Sequence, residues 1–477
     1  MYLRHLKVEN CKLMRALEAS FVNDDGTTRM WTVFVGENGT CKTTLLRTIA
    51  VAAAGSAFAN RLVGDPGSYL DKRGDEVSAD VNATFGFSAL RHSDRTYPGR
   101  EDVDESSQVM TRAAFHESSV HFVANYDSPV AAMTSVDRLS QSEFDSIFLD
   151  HFGTLAPDKV ALVKAFLNPR RLENPVDLAR NQELPYWFVA AYGTGRVLSA
   201  PLQQTEGSPP QRERLENLFD RRILPMGTGF SDELLRRFGE ERAKAFSVVL
   251  REALVDRLHT PNLQGVNLQV RGTATKEIAL IDAHSFEMRA GTGTVKLPAV
   301  WLSQGYQAVV SLVADIIGHV WLDAGAEVPL DDMEGLVLVD EIDLHLHPKW
   351  QTEIVRGLKR TFPKMQFIVT THSPLVLAGC ERGEVLMLVQ DPETGDVTAQ
   401  RKDDVLPMLL TASELNSEFF GVERASQLSE DLRRYVEIAG DRYRSDEEDV
   451  LARSLLAKLR GHGVEISFEP LKRVEAP

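Results

Sequence analysis

The stretch Gly335–Pro348, Gly-Leu-Val-Leu-Val-Asp-Glu-Ile-Asp-Leu-His-Leu-His-Pro, constrains this chain more than any other. Its apolar run carries no polar alternation, which predicts a strand buried on both faces of a parallel sheet and so an α/β fold. Asp340 and Glu341 then stand at the carboxyl end of that strand, where open α/β sheets bind ligands. Two carboxylates there can divide labour. Asp340 is suited to hold a magnesium ion, usually through water, and Glu341 to orient or deprotonate an attacking water. Alone, the stretch fits a strand ending in a solvated acidic turn equally well.

The rest of the chain decides between these readings. Trp31–Val35 is a compact apolar run that enters Gly36-Glu37-Asn38-Gly39-Thr40-Cys41-Lys42-Thr43-Thr44 and then a helical pattern, Leu45–Ala54. A strand, a tight loop and a helix start present backbone N–H groups and a positive dipole end to phosphates. Gly36, Asn38, Gly39, Thr40, Cys41, Lys42, Thr43 and Thr44 are therefore the candidate nucleotide-binding residues. Lys42 would reach the β- and γ-phosphates, and Thr43 would join Asp340 on magnesium. Cys41 stands where the pattern has its second glycine, the residue that lets backbone approach phosphate without a Cβ. We expect it to narrow the loop or weaken binding.

Some three hundred residues separate Lys42 from Asp340. A small GTPase or nucleotide kinase closes that gap in far fewer, so something is inserted between two halves of one nucleotide site. Just before the acidic strand, Leu302-Ser303-Gln304-Gly305-Tyr306 opens a long apolar helix, Gln307–Leu322, and offers a second anion site at Ser303 and Gly305. After it, Gln366–Thr370 reads as another buried strand ending in Thr371-His372-Ser373-Pro374, where His372 is placed to contact a γ-phosphate or the water. His345 and His347 lack further ligands nearby and read as conformational or interface residues.

Composition narrows the class. The chain has 477 residues, 43% hydrophobic and 26% charged, ordinary for one large or several smaller globular domains. No run of 18 or more apolar residues predicts a membrane span, and the N-terminus lacks the features of a secretory signal. Three scattered cysteines suggest a reducing cytoplasm without disulfides. A net charge of −16 makes a general nucleic-acid binder a poor expectation. A DNA contact would need a local basic patch, for which Arg356–Lys364 and Arg236–Arg257 are candidates, although such a run is more often a solvated helix face.

The chain divides into four expected segments. Residues 1–89 hold strands Leu3–Val8, Leu17–Val22, Trp31–Val35 and Ala79–Phe87 and the phosphate loop. Residues 90–186 read as an inserted, mainly helical module with helices near Asp137–Phe152 and Pro157–Leu167. Residues 187–380 return to α/β character, with strand Trp187–Tyr192, one helix Ser231–Leu258 capped by Ser231, a strand pair Leu268–Arg271 and Glu277–Ile281, and a helix Pro348–Arg360. Residues 381–477 read as a small C-terminal α/β extension: a hairpin, Glu384–Val389 with Val397–Arg401, then charged helices near Ala425–Ala439 and Asp446–Leu459.

Together these motifs resemble an ABC-type P-loop ATPase of the SMC/RecF/OLD-like class, in particular the stand-alone AAA family ATPases of anti-phage systems such as Septu. The resemblance spans Leu3–Thr44, Trp187–Arg196 and Trp301–Leu377. It implies ATP and Mg2+ as ligands and a head-to-tail homodimer, in which Ser303 and Gly305 of one subunit close on nucleotide held by Lys42 and Thr43 of the other. It implies slow or full hydrolysis directed by Glu341, and control of a separate effector such as an HNH nuclease. OLD-type relatives carry a nuclease domain after this core, but Glu430-Asp431 and Asp446–Asp449 read here as helix faces or caps. Ala191–Arg196 resembles a family segment in which Arg196 either meets phosphate or pairs with an acid. Two other readings stay open: a nucleotide-sensing DNA-binding scaffold with its loop disabled by Cys41, and the ATPase subunit of a membrane transporter.

Overall fold

The structure, a computed structural model, describes residues 1–86, 108–126, 187–198, 210–268, 284–421 and 427–463, with Val176, Ile466 and Leu471. The chain forms two compact units, Met1–Leu409 and Leu410–Pro477.

Two large sheets enclose the core of the first unit. One contains six strands in the order β14-β13-β3-β12-β11-β7: β3 is Trp31–Gly36, β7 Val189–Tyr192, β11 Gly335–Val339, β12 Met365–Thr370, β13 Val385–Gln390 and β14 Val397–Arg401. Neighbours pair in parallel except β13 with β14. β7, β11 and β12 are buried along their whole length, as the unbroken apolar runs predict. The other sheet is antiparallel, in the order β2-β1-β4-β5-β6. Its strands are β1 Tyr2–Cys11, β2 Met14–Ser20, β4 Ala79–Gly86, β5 Gln108–Phe115 and β6 Val120–Tyr126.

The phosphate-loop helix, Lys42–Ala54, is the keystone of the core. Leu45, Leu46, Ile49 and Val51 are wholly buried in one cluster with residues of both sheets, among them Val8, Val81, Phe115, Leu338 and Ile368. Each such side chain contributes about 1.5–3 kcal/mol of burial. A helix apolar on all sides must be covered on all sides, and here the two sheets cover it.

Several expectations are corrected. Residues 108–126 fall within the segment read as mainly helical, yet they are β5 and β6 of the antiparallel sheet. Val109, Thr111, Ala113 and Phe115 face inward at alternate positions, a period masked by the polar stretch before them. The helices expected near Asp137–Phe152 and Pro157–Leu167 lie outside the described residues. The C-terminal hairpin belongs to the main sheet, because β13 runs parallel to β3, and the separate unit begins at Leu410. Ser231–Leu258 is not one helix. It breaks at Gly239 (φ 93) into Phe230–Phe238 and Glu240–Arg251 and ends in a π-helical turn, Glu252–Arg257. Ser231 is no cap, since it lies buried inside the first helix and its hydroxyl donates to Thr228 O. Pro348–Arg360 is two short helices, Pro348–Gln351 and Ile354–Thr361. Where a pair Leu268–Arg271 and Glu277–Ile281 was expected, a three-stranded sheet has β8 at Leu263–Leu268, β9 at His284–Ala290 and β10 at Gly293–Pro298. Arg271 and residues 277–281 are outside the described residues.

The helix Gln304–Ala324 is long and apolar enough to cross a bilayer by length and composition, but its apolar window is 89% buried inside the fold. The second unit contains helices Ala412–Phe420, Gln427–Gly440 and Asp446–Gly461; the last two pack through Tyr435, Ala439, Ala452, Leu455 and Leu459. Ser445 and Glu448 form a capping box at the start of the last helix, and Asp449 pairs with Arg444 and Arg453. The acidic run is thus helix start and ion pairs, and no metal-holding cluster occurs among the described residues.

Candidate functional site

β3 delivers the phosphate loop to the carboxyl edge of the six-stranded sheet, two strands from β11. Gly36, at φ 154, has no room for a side chain: a Cβ would lie 2.5 Å from Leu388 O on neighbouring β13. Gly39, at φ 89, turns the loop in open space. Cys41 takes the left-handed conformation (φ 63, ψ 20) and precedes the first residue of the helix. That is the glycine-type backbone the pattern asks for. The backbone of the loop thus keeps the turn a glycine would make, with a Cβ added at Cys41. Cysteine adopts the glycine conformation at a strain of about 1 kcal/mol.

The buried ammonium of Lys42 folds inside the loop and donates to the carbonyls of Gly36 and Glu37, both at 2.8 Å. Burial lowers its pKa, opposed by Asp340 and Glu341. Thr40 braces the loop by donating to Glu37 O at 2.9 Å. Lys12, from the β1–β2 turn, donates to Thr44 Oγ1 at 3.0 Å. Asn38 is exposed on the loop.

The two distant half-sites meet at Asp340. Thr43 donates to Asp340 Oδ2 at 2.8 Å across 297 residues, and Thr370 at the end of β12 donates to Asp340 Oδ1 at 2.6 Å. A hydroxyl and a carboxylate in contact form a hard-oxygen pair at the loop mouth. That donor set fits magnesium, which binds through one or two such groups and keeps its remaining waters. Glu341 is held at φ 47, a left-handed backbone rare outside glycine. Its N–H donates to Thr370 Oγ1 at 2.7 Å, and its carbonyl accepts from Leu344 N and from Arg196. Its half-buried carboxylate takes no hydrogen bond among the described residues.

Arg196 forms no ion pair with an acid side chain among the described residues. Its guanidinium is buried and donates to three carbonyls, those of Gly193 (2.5 Å), Asp340 (2.6 Å) and Glu341 (2.8 Å). Burial lowers its pKa to about 10, opposed by Asp340, Asp343 and Glu341. Asn217 shapes the loop around it by accepting from Gly193 N and donating to Gly195 O and Ile223 O. Sequence reasoning missed Asn217, since nothing marks one polar residue on a distant helix as the clamp of this loop.

The remaining candidates form a second group. Ser303 is exposed just before the helix Gln304–Ala324, and its hydroxyl makes no capping bond. Gly305 packs on the turn after Glu341, where a Cβ would lie 2.5 Å from His345 O. His345 itself sits at φ 63. Gln351 ties that turn to the next strand end, donating to Leu346 O at 2.9 Å and accepting from Ser373 Oγ at 2.7 Å. Thr371 donates to Asp343 Oδ1 at 2.5 Å, which leaves His372 exposed beside it. His347 accepts from Lys349 N at a helix start. The structure brings Lys42, Thr43, Asp340 and Glu341 together and gives Ser303 and Gly305 no hydrogen bond to that cluster.

The two basic stretches are largely neutralised. Arg356 faces Glu353, Lys359 faces Glu381 and Glu384, and Lys364 faces Asp332. Arg236 and Arg237 pair with Glu233, Lys244 with Glu240, and Arg257 with Glu252 and Asp331.

A mainly parallel sheet, a phosphate loop sealed to an acid-tipped strand, and an antiparallel sheet over the loop helix define a P-loop NTPase fold of the ABC-ATPase type. Residues 192–378 match the family described as an AAA domain, putative AbiEii toxin, Type IV TA system. The chain is 25% identical over 448 residues to the Septu protein PtuA of Bacillus mycoides (strain KBAB4), covering 91% of this chain and 47% of that protein. It thus spans about half the length of that curated relative. Over 77 residues, 16% of this chain and 15% of the relative, it is 57% identical to the probable ATPase of retron Vc95 from Vibrio cholerae serotype O1 biovar El Tor. Among solved structures, it aligns at a TM-score of 0.46 and 16% identity with an SmcHead bound to the C-winged helix domain of ScpA, covering 84% of this chain and 98% of that one. The resemblance read from the motifs agrees with these relatives: the chain is similar to the Septu protein PtuA and to a probable retron ATPase.

Proposed function

We propose that the chain binds and hydrolyses ATP between two head-to-tail copies of itself and uses the closure to control a separate effector in anti-phage defence. One observation carries this reading, the hydrogen bond from Thr43 to Asp340 that joins the two halves of the site. Lys42 leaves the Gly36 and Glu37 carbonyls for the β- and γ-phosphates. Thr43 and Asp340 would hold Mg2+, which would supply charge neutralisation at the phosphates. Glu341, its backbone pinned and its carboxylate free, orients and deprotonates the attacking water. His372, exposed at the next strand end, would contact the γ-phosphate or the water. Ser303 and Gly305 serve the partner's nucleotide. The Septu and retron relatives supply the defence context, and a nuclease such as an HNH protein is the effector class that fits it. The setting is cytoplasmic.

The scaffold reading, with a loop disabled by Cys41, predicts little or no hydrolysis. Against the transporter reading stands the burial of the one long apolar helix found among the described residues, Gln304–Ala324, whose apolar window is 89% buried inside the fold. In the test, Glu341→Gln should accumulate an ATP-bound dimer, read by light scattering with Mg-ATP, and lose at least about 100-fold in phosphate release. Wild-type turnover in this variant would remove Glu341 from its role. Wild-type protein that binds Mg-ATP but releases no phosphate would leave the sensing reading standing.

A further inference from the structure

Tyr192, the last residue of β7, makes two bonds in opposite directions. Its carbonyl accepts from Asp340 N at 2.8 Å, on the adjacent acid-tipped strand. Its hydroxyl donates at 2.8 Å to Asp315 Oδ2, on the helix that starts at the Leu302–Tyr306 signature. Asp315 is almost wholly buried and is held from a third side by Met226 N and Gly227 N. It belongs to a polar stripe on the helix: Ser311, Asp315 and His319 recur every four residues, all buried. Buried carboxylates are costly and survive where geometry matters.

The middle member of the stripe, Asp315, meets the end of β7 beside the acid-tipped strand. Gly193, next to Tyr192, offers its carbonyl to Arg196, whose other donors hold the Asp340 and Glu341 carbonyls. A continuous set of short bonds thus runs from the signature helix through Asp315 and Tyr192 to both acids. Three turns of rigid helix separate Gly305 from Asp315, so a shift at one end is delivered at the other.

We infer that Tyr192 and Asp315 are positioning residues that couple engagement of the signature to placement of Asp340 and Glu341. When Ser303 and Gly305 close on a nucleotide, the helix moves as a body, and the Asp315–Tyr192 bond carries that movement to β7 and the end of β11. Binding of nucleotide in the phosphate loop does not use the bond; turnover does. The inference rests on the ATPase reading above and names how that site is regulated.

The test uses the full chain with Tyr192→Phe, which removes one oxygen and keeps the ring. Turnover should fall about tenfold while the KM for Mg-ATP stays within about twofold. Adding Ser303→Ala should cost little more, because both changes cut one path. Unchanged turnover, an equal loss of binding, or fully multiplicative losses would each overturn the coupling. Asp315→Asn carries the same readouts should Tyr192→Phe fold poorly. If wild-type protein hydrolyses nothing, the ATPase reading fails on its own, and hydrogen exchange still decides the coupling. Exchange across Val337–Ile342 should rise by about threefold or more in Tyr192→Phe, with β4 unaffected. No rise there would sink it.

Discussion

At the scale of single residues, Cys41 and Arg196 carry the lesson. A cysteine in the place of a loop glycine reads as damage when only the pattern is known. In the fold it is a left-handed residue at φ 63 with its side chain half-buried. Cys41→Gly relieves about 1 kcal/mol of strain but loosens the unfolded chain by a similar amount. Stability should move by less than about 0.5 kcal/mol, and turnover should persist. Cys41→Val puts a β-branched residue at the same φ and should weaken Mg-ATP binding by about tenfold or more. Calorimetric titration of both variants checks this, and equal affinities would show that the loop tolerates any backbone there. Arg196→Lys keeps the charge but cannot fill three acceptors from one planar fork. It leaves buried carbonyls unpaired at about 1–3 kcal/mol each, so both melting temperature and turnover should drop. That Lys42, Thr43, Asp340 and Glu341 come together was legible, because the two motifs stand at strand ends of one sheet. Arg196 was not, because its partners are backbone carbonyls of residues far along the chain, and carbonyls have no sequence.

At the scale of elements, the signature glycine has a role inside its own chain. Gly305→Ala drives a Cβ against His345 O, a backbone atom that cannot rotate away. The cost should be about 1–3 kcal/mol in the free protein, without nucleotide. A urea midpoint equal to wild type would confine Gly305 to nucleotide contact. Asp315 gives an element-scale pH signature. Burial raises its carboxyl to about 6 from 3.8, with Tyr192 and the Met226 and Gly227 amides opposing. The folded state thus holds the proton more tightly than the unfolded state. Its contribution is fully present below the unfolded value and is lost as pH rises through about 6. Relative to Asp315→Asn, wild type should lose about 1–3 kcal/mol between roughly pH 4 and pH 7. Parallel unfolding curves would contradict the assignment. Buried runs such as β11 and β12 announced themselves by composition. β5 and β6 did not, since half their residues face away from the core and read as polar, and the hairpin β13–β14 gave no hint that its first strand pairs with β3.

At the scale of the molecule, ligand binding and stability are one equilibrium. Mg-ATP at about 100 times its dissociation constant should stabilise the main unit by about 2.7 kcal/mol. Lys42→Ala should abolish that gain, as differential scanning calorimetry can test. The number of sheets and the order of their strands were the least legible features, because they depend on pairings between segments hundreds of residues apart. β3 is the sharpest instance. Formed from residues 31–36, it lies between β12 and β13, which begin at Met365 and Val385. During synthesis at about 5–20 residues per second, β3 emerges on the order of tens of seconds before either neighbour exists. For that interval its apolar strand has two bare edges. The nascent chain therefore passes through a stage that invites pairing with other chains, and holding factors at the ribosome exit should bind the phosphate-loop strand until the last third of the main unit arrives.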